Sequence, residues 1–143
     1  MQSYKKNNMD KILKHAFWDT HALLIARVLM GALFIISGIQ KFQNISGTAG
    51  FIDSVGLPAA TLLAWLSAIF EVVLGAAIVL GEYFRAAALL LALFAAIAAV
   101  IFHGPSSWGQ AMQQTMFLKD LAIAAGLLFM AAHGEGQTWK LRK

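Results

Sequence analysis

The stretch that decides the fold is Arg27-Val28-Leu29-Met30-Gly31-Ala32-Leu33-Phe34-Ile35-Ile36-Ser37-Gly38-Ile39-Gln40-Lys41-Phe42. It is an apolar run with an arginine near its start and a lysine near its end. Arg27, Gly31, Phe34, Gly38 and Lys41 recur at spacings of 4, 3, 4 and 3, which lays them along one face of a helix. Glycines on that face let another helix approach closely. Charges on the same face demand a partner or a wet cavity, because an isolated charge at bilayer depth costs several kcal/mol. The stripe therefore predicts a membrane helix that turns its charged face toward neighbouring protein.

Three further stretches resemble it in composition. Residues 22–42, 59–80, 84–103 and 116–132 are each almost wholly Ala, Leu, Ile, Val, Phe, Met and Gly. About 20 such residues cross a hydrocarbon core of about 30 Å, so four spans use most of the chain. The 143 residues are 59% apolar and only 13% charged, against about 25% charged in soluble domains. Lipid must be the solvent for much of this surface. The second stretch repeats the stripe with Ala64, Ala68, Glu71 and Gly75. Only Gly81-Glu82-Tyr83 separates it from the third, so those two spans are expected to be antiparallel neighbours. The expected fold is all-α: an integral membrane four-helix bundle over 22–132. A segment of 1–21 precedes it, either a short amphipathic helix on the membrane or an unstructured lead-in, and a basic tail of 133–143 follows. The 43–58 connector, rich in Gly but carrying Phe51, Ile52 and Val55, is expected to lie in the interface or fold back over the bundle. Pro58 suits the first turn of the second span.

Charge placement sets orientation. Lys5, Lys6, Lys11, Lys14, Arg85, Lys140, Arg142 and Lys143 all fall at the termini or in the 81–85 loop, so both termini are expected in the cytoplasm. The net charge of +4 thus reads as membrane topology and not as a nucleic-acid footprint. Cysteine is absent, which excludes thiol nucleophiles and thiolate metal sites in this chain. His15, His21, His103 and His133 show no four-residue helical pairing, so no metal site is expected.

Depth along the spans suggests pairs. Arg27 lies roughly 8 Å inside one edge and Glu71 roughly 13 Å, at 1.5 Å per residue, so an Arg27–Glu71 ion pair is expected. Lys41, His103, Lys119 and Asp120 come from three spans near the opposite edge and are expected to cluster, with Asp120 on Lys41 and Lys119 snorkelling to the interface. His103, Lys41, Asp120 and Glu71 are the candidate ligand or proton site, and Gly31, Gly38 and Gly75 the packing glycines. Trp65, inside the second span, is expected to pack or to wall a pocket.

The ordered pattern Arg27-x3-Gly31-x2-Phe34-x3-Gly38-x2-Lys41-Phe42, followed by Gly56-Leu57-Pro58, Glu71-x3-Gly75, Leu80-Gly81, Arg85 and His103, resembles the DoxX family of small bacterial membrane proteins. The resemblance covers about 22–132. It implies four helices in the bacterial inner membrane. Through the related DoxD branch, it also implies kinship with subunits of a thiosulfate–quinone oxidoreductase, and some members are implicated in redox-stress complexes.

Three functions compete. The first is a scaffold or accessory membrane component of undefined chemistry, whose charges latch the helices. The second is a quinone-linked oxidoreductase subunit working with a redox partner protein, because no cofactor motif accompanies the chain itself. The third is a small-solute or proton carrier with Glu71 as its proton site, which the lack of an inverted repeat or broken helix disfavours.

Overall fold

A computed structural model describes residues 21–136; the expected amphipathic segment and most of the basic tail lie outside them. Five α-helices fill the described residues, which hold no strand: α1 (Leu23–Gln43), α2 (Ile45–Ser54), α3 (Ala60–Leu80), α4 (Phe84–His103) and α5 (Ala111–His133). Four of them, α1 and α3 to α5, are long and apolar enough to cross a membrane.

Local chemistry sets the corners. Asn44 closes α1 by donating its N–H to the carbonyls of Gln40 and Lys41, and its Oδ1 accepts from Gly47 N at 3.0 Å to open α2. Gly81, at φ +77°, ends α3 with its N–H on Ala77 O at 2.9 Å, the left-handed stop that glycine adopts without strain. Gly104 and Pro105 stop α4, and a 3-10 turn (Pro105–Ser107) leads toward α5.

Three boundaries differ from expectation. The 43–58 connector contains a helix, α2, because Asn44 caps it and Ile45, Ala49 and Ile52 make one apolar face. Ala49 and Ile52 are buried beside Ala64 of α3, so α2 folds back over the bundle. Pro58 stands two residues ahead of α3 in a turn completed by Ala59 at φ +53°. The last span begins at Ala111 because Gln113, Gln114 and Thr115, though polar, do not break a helix.

The long helices associate mainly as α1 on α3 and α4 on α5. Hydrophobic transfer does not drive helices together in lipid, so dispersion at close approach must. The buried faces are accordingly small. Ala87, Ala88, Ala92, Ala95 and Ala99 of α4 are buried, with Leu91 and Leu127 interlocking beside them. Between α1 and α3, a Cβ on Gly31 would strike Val79 and the carbonyl of Gly75, and one on Gly38 would lie 2.8 Å from Ala68 O. The large apolar side chains point outward instead, as with Leu29, Val100 and Phe129 at 67%, 62% and 61% exposure.

Substituting Gly38→Val should therefore lower stability by about 1–3 kcal/mol through overpacking. Leu29→Val, on the outer face, should change it by less than about 0.5 kcal/mol. Thermal melting in detergent, followed by size-exclusion chromatography, checks both; equal effects would refute the close-packed seam.

Candidate ligand cavity and its charged walls

Arg27 is fully buried, and its guanidinium is spent on main-chain oxygens. Nε donates to Ile78 O at 3.2 Å and Nη2 to Val79 O at 2.8 Å, both in the last turn of α3. Nη1 donates to Glu135 O at 3.0 Å, just beyond α5. The guanidinium also lies 5.7 Å from the ring centroid of Phe84, at the start of α4. A cation at a helix C-terminus meets carbonyls without intrahelical partners and the negative end of the macrodipole. One side chain from α1 thus clips three other parts of the fold. Gly81 makes room for it, since a Cβ there would sit 2.5 Å from Arg27 Nη2.

The expected Arg27–Glu71 pair is not formed. Gly31 faces Gly75 and Val79, and Gly38 faces Ala68 and Val72, a register that puts Arg27 level with the end of α3. Glu71 is then about two helical turns away, roughly 12 Å at 1.5 Å per residue. The ends of the two helices are not level, and α1 overhangs the end of α3 by about a turn, which separates the two charges in depth.

Glu71 pairs instead with Lys41, whose Nζ donates to Glu71 Oε2 at 2.6 Å and to Ser37 Oγ at 2.9 Å. The lysine side chain runs back along α1 from the helix end, reaching inward to a carboxylate that is only 5% exposed. Carboxylate and ammonium neutralise each other where neither could stand alone. The expected Lys41–Asp120 pair is thereby replaced. Asp120 faces His103, with Oδ2 3.9 Å from Nε2. Lys119, the neighbour of Asp120, points outward and is exposed, with Met116 Sδ 4.0 Å from its Nζ.

Both pairs open on one cavity of about 470 Å³, bounded by α1 to α5. Lys41, Glu71, His103 and Asp120 all line it, with Ser37, Ser67 and Thr48 beside them. Phe34, Phe94, Ile97, Ile101, Phe102 and Ile123 form its apolar walls. Phe51 of α2 closes one side, stacked on Phe102 at 5.0 Å between centroids and tilted on His103 at 6.5 Å. A smaller polar cleft lined by Gln40 and Asn44 shares Ser37, Lys41, Thr48 and Phe51 with the cavity. Trp65, expected as packing or as a pocket wall, is neither lining nor buried; it is 45% exposed and meets Phe42 on the outer face.

Two contributors escaped the sequence reading. Gln113 Oε1 lies 2.6 Å from His103 Nδ1, and Trp108 Nε1 donates to His103 O at 3.0 Å. Their signal was the Gly104-Pro105 stop after His103, which folds the following residues back toward the helix end. Phe51 was legible only as an apolar residue in a connector.

Fold and cavity together define a small polytopic membrane protein with an apolar interior chamber walled at one end by polar side chains and one ion pair. The chain belongs to the DoxX family, whose model matches residues 22–104, spanning α1 to α4. Among its relatives, the Escherichia coli (strain K12) inner membrane protein YqjF is 35% identical over 114 residues, 80% of this chain and 85% of that protein. YphA, another inner membrane protein of that strain, is 35% identical over 119 residues, covering 80% and 84% of the two chains. CatD of Bacillus subtilis (strain 168), whose name assigns it provisionally to the oxidoreductases, is 31% identical over 111 residues, 76% of this chain and 81% of its own. No solved structure gives a significant match.

The pairing has a direct thermodynamic signature. A double-mutant cycle of Lys41→Gln with Glu71→Gln should give a coupling above about 0.5 kcal/mol, while Arg27→Gln with Glu71→Gln should be additive within about that amount. Arg27→Gln alone should cost about 3 kcal/mol, because it strands helix-end carbonyls away from water. Reversible unfolding in mixed micelles measures all three; coupling between Arg27 and Glu71 would contradict the register.

Proposed function

We propose that this DoxX-family inner-membrane protein is an accessory component of membrane redox chemistry whose bundle holds a quinone-type lipid. The carrying observation is the convergence of Lys41, Glu71, His103 and Asp120 on one apolar-walled cavity of about 470 Å³. That volume falls in the range of small-molecule pockets, and a few polar groups among apolar walls are the usual means of orienting such a ligand. The head would lie among Lys41, Ser37, His103 and Asp120, and the tail would run past Phe94, Ile97 and Ile101 toward lipid. A bound quinone would supply reversible electron storage. The chain's own residues would bind it, exclude water from it and hold protons near its oxygens. The oxidoreductase name of CatD agrees with this reading. The spans run antiparallel in this proposal, with both termini cytoplasmic by the distribution of Lys and Arg. The cavity would then lie in the outer half of the bilayer.

A second reading is favoured by Arg27, a buried charge that donates to main-chain carbonyls from two other parts of the fold. Such a clip serves assembly and stability, as a scaffold for partner proteins would require.

The two readings part on ligand retention. Protein purified in mild detergent should carry co-extracted isoprenoid quinone, detectable by mass spectrometry. His103→Ala should reduce it about fivefold or more, and Ala98→Trp, which fills the cavity, should remove it. If wild-type protein retains no quinone and binds no added decylubiquinone, the redox reading falls and the scaffold reading stands.

A further inference from the structure

Resting on the reading of the cavity as a quinone-type lipid site, we infer that it selects the reduced, hydroxyl-bearing head over the oxidised dicarbonyl head. The two redox forms differ in hydrogen bonding: a quinol donates through two O–H groups, whereas a quinone only accepts. The polar groups at the head end of the cavity are mostly acceptors.

His103 is the clearest case. Its Nδ1 lies 2.6 Å from Gln113 Oε1, and an amide oxygen only accepts, so this amide orientation assigns the proton to Nδ1. In the neutral ring, Nε2 is then a bare lone pair. It faces Asp120 Oδ2 at 3.9 Å, beyond direct hydrogen-bond reach. Two acceptors set that far apart, on adjacent helices at the cavity wall, call for a donor between them, and a quinol hydroxyl supplies one. The other polar groups point the same way. Ser67 Oγ donates to Ala64 O at 2.9 Å and Thr48 Oγ1 to Asn44 O at 3.0 Å, so each presents only lone pairs to the cavity. Glu71 has acceptor capacity beyond its bond to Lys41. Against these stand the remaining hydrogen of Lys41 Nζ, already bound to Glu71 and Ser37, and the hydroxyl proton of Ser37. The balance favours a ligand that brings its own donors.

Gln113 is the positioning residue in this scheme. It does not line the cavity, and it acts by holding the His103 tautomer whose lone pair faces inward. Without it the ring is free to place its proton on Nε2, which turns the acceptor into a donor.

The test uses the full chain in nanodiscs, with binding of decylubiquinol (kept reduced under anaerobic conditions) and decylubiquinone measured separately. Quinol should bind about tenfold more tightly, the effect of one well-placed hydrogen bond. Gln113→Ala should bring the two affinities within about twofold. Independently of any ligand, the 15N spectrum of histidine-labelled protein should show neutral His103 with Nε2 unprotonated, assigned by its loss in His103→Asn. The inference is overturned if quinone binds as tightly as quinol, if Gln113→Ala leaves the preference intact, or if neutral His103 carries its proton on Nε2. Binding of neither form overturns the reading of the cavity itself.

Discussion

The guanidinium of Arg27, bound to the last carbonyls of α3, is the contact on which the remaining geometry depends. A helix end inside or near lipid leaves carbonyls that water cannot reach, and these must find donors within the protein. Arg27 provides them at Ile78 and Val79, and in doing so sets the register of α1 against α3. With Arg27 at the end of α3, Gly31 falls on Gly75 and Gly38 on Ala68. One further turn along, Lys41 is within reach of Glu71. A shift of one turn would drive the backbone at Gly38 into side chains and part the lysine from its carboxylate. The same guanidinium also holds Glu135 and lies by Phe84, so the register of α1 against α3 is tied to the start of α4 and the end of α5.

The molecule's charges therefore divide by role along its length. At the Arg27 end, the guanidinium joins three parts of the fold through main-chain carbonyls and the Phe84 ring. At the Lys41 end, an ion pair and a histidine facing a carboxylate line a chamber, and the two differ in character. Lys41 and Glu71 are in direct contact and largely shielded, a neutral unit that can remain in lipid without a ligand. His103 and Asp120 stand apart, with Gln113 and Trp108 holding the histidine from behind. A closed pair beside an open one is the arrangement expected where one part of a wall orients a ligand and another exchanges hydrogen bonds with it.

Much of this fold was legible in the residues. The 4-3-4-3 stripe from Arg27 to Lys41 located the helix face that packs, because glycine and charge have no reason to share a lipid-facing surface. The third span agreed at both ends, since Arg85 and Gly104-Pro105 bound an unbroken run of Ala and Leu. The partners of the charges were not legible. Depth counted from helix ends assumes that neighbouring helices start level, and the overhang of α1 moved Arg27 away from Glu71 and brought Lys41 to it. Helix α2 was obscured by Gly47 and Gly50, which count against a helix in isolation, although Asn44 and the Ile45-Ala49-Ile52 spacing mark one. The tautomer-setting contact of Gln113 depends on how a turn returns, which spacing alone does not encode.

The measurement closest to the central claim is a nitrogen–carbon dipolar recoupling experiment on the protein in lipid bilayers, observing the carboxyl carbon of Glu71. Strong dephasing is expected from the Nζ of Lys41 and none from the guanidinium nitrogens of Arg27. Dephasing from Arg27, or a Glu71 carboxyl remote from both cations, would contradict the register and the cavity that follows from it.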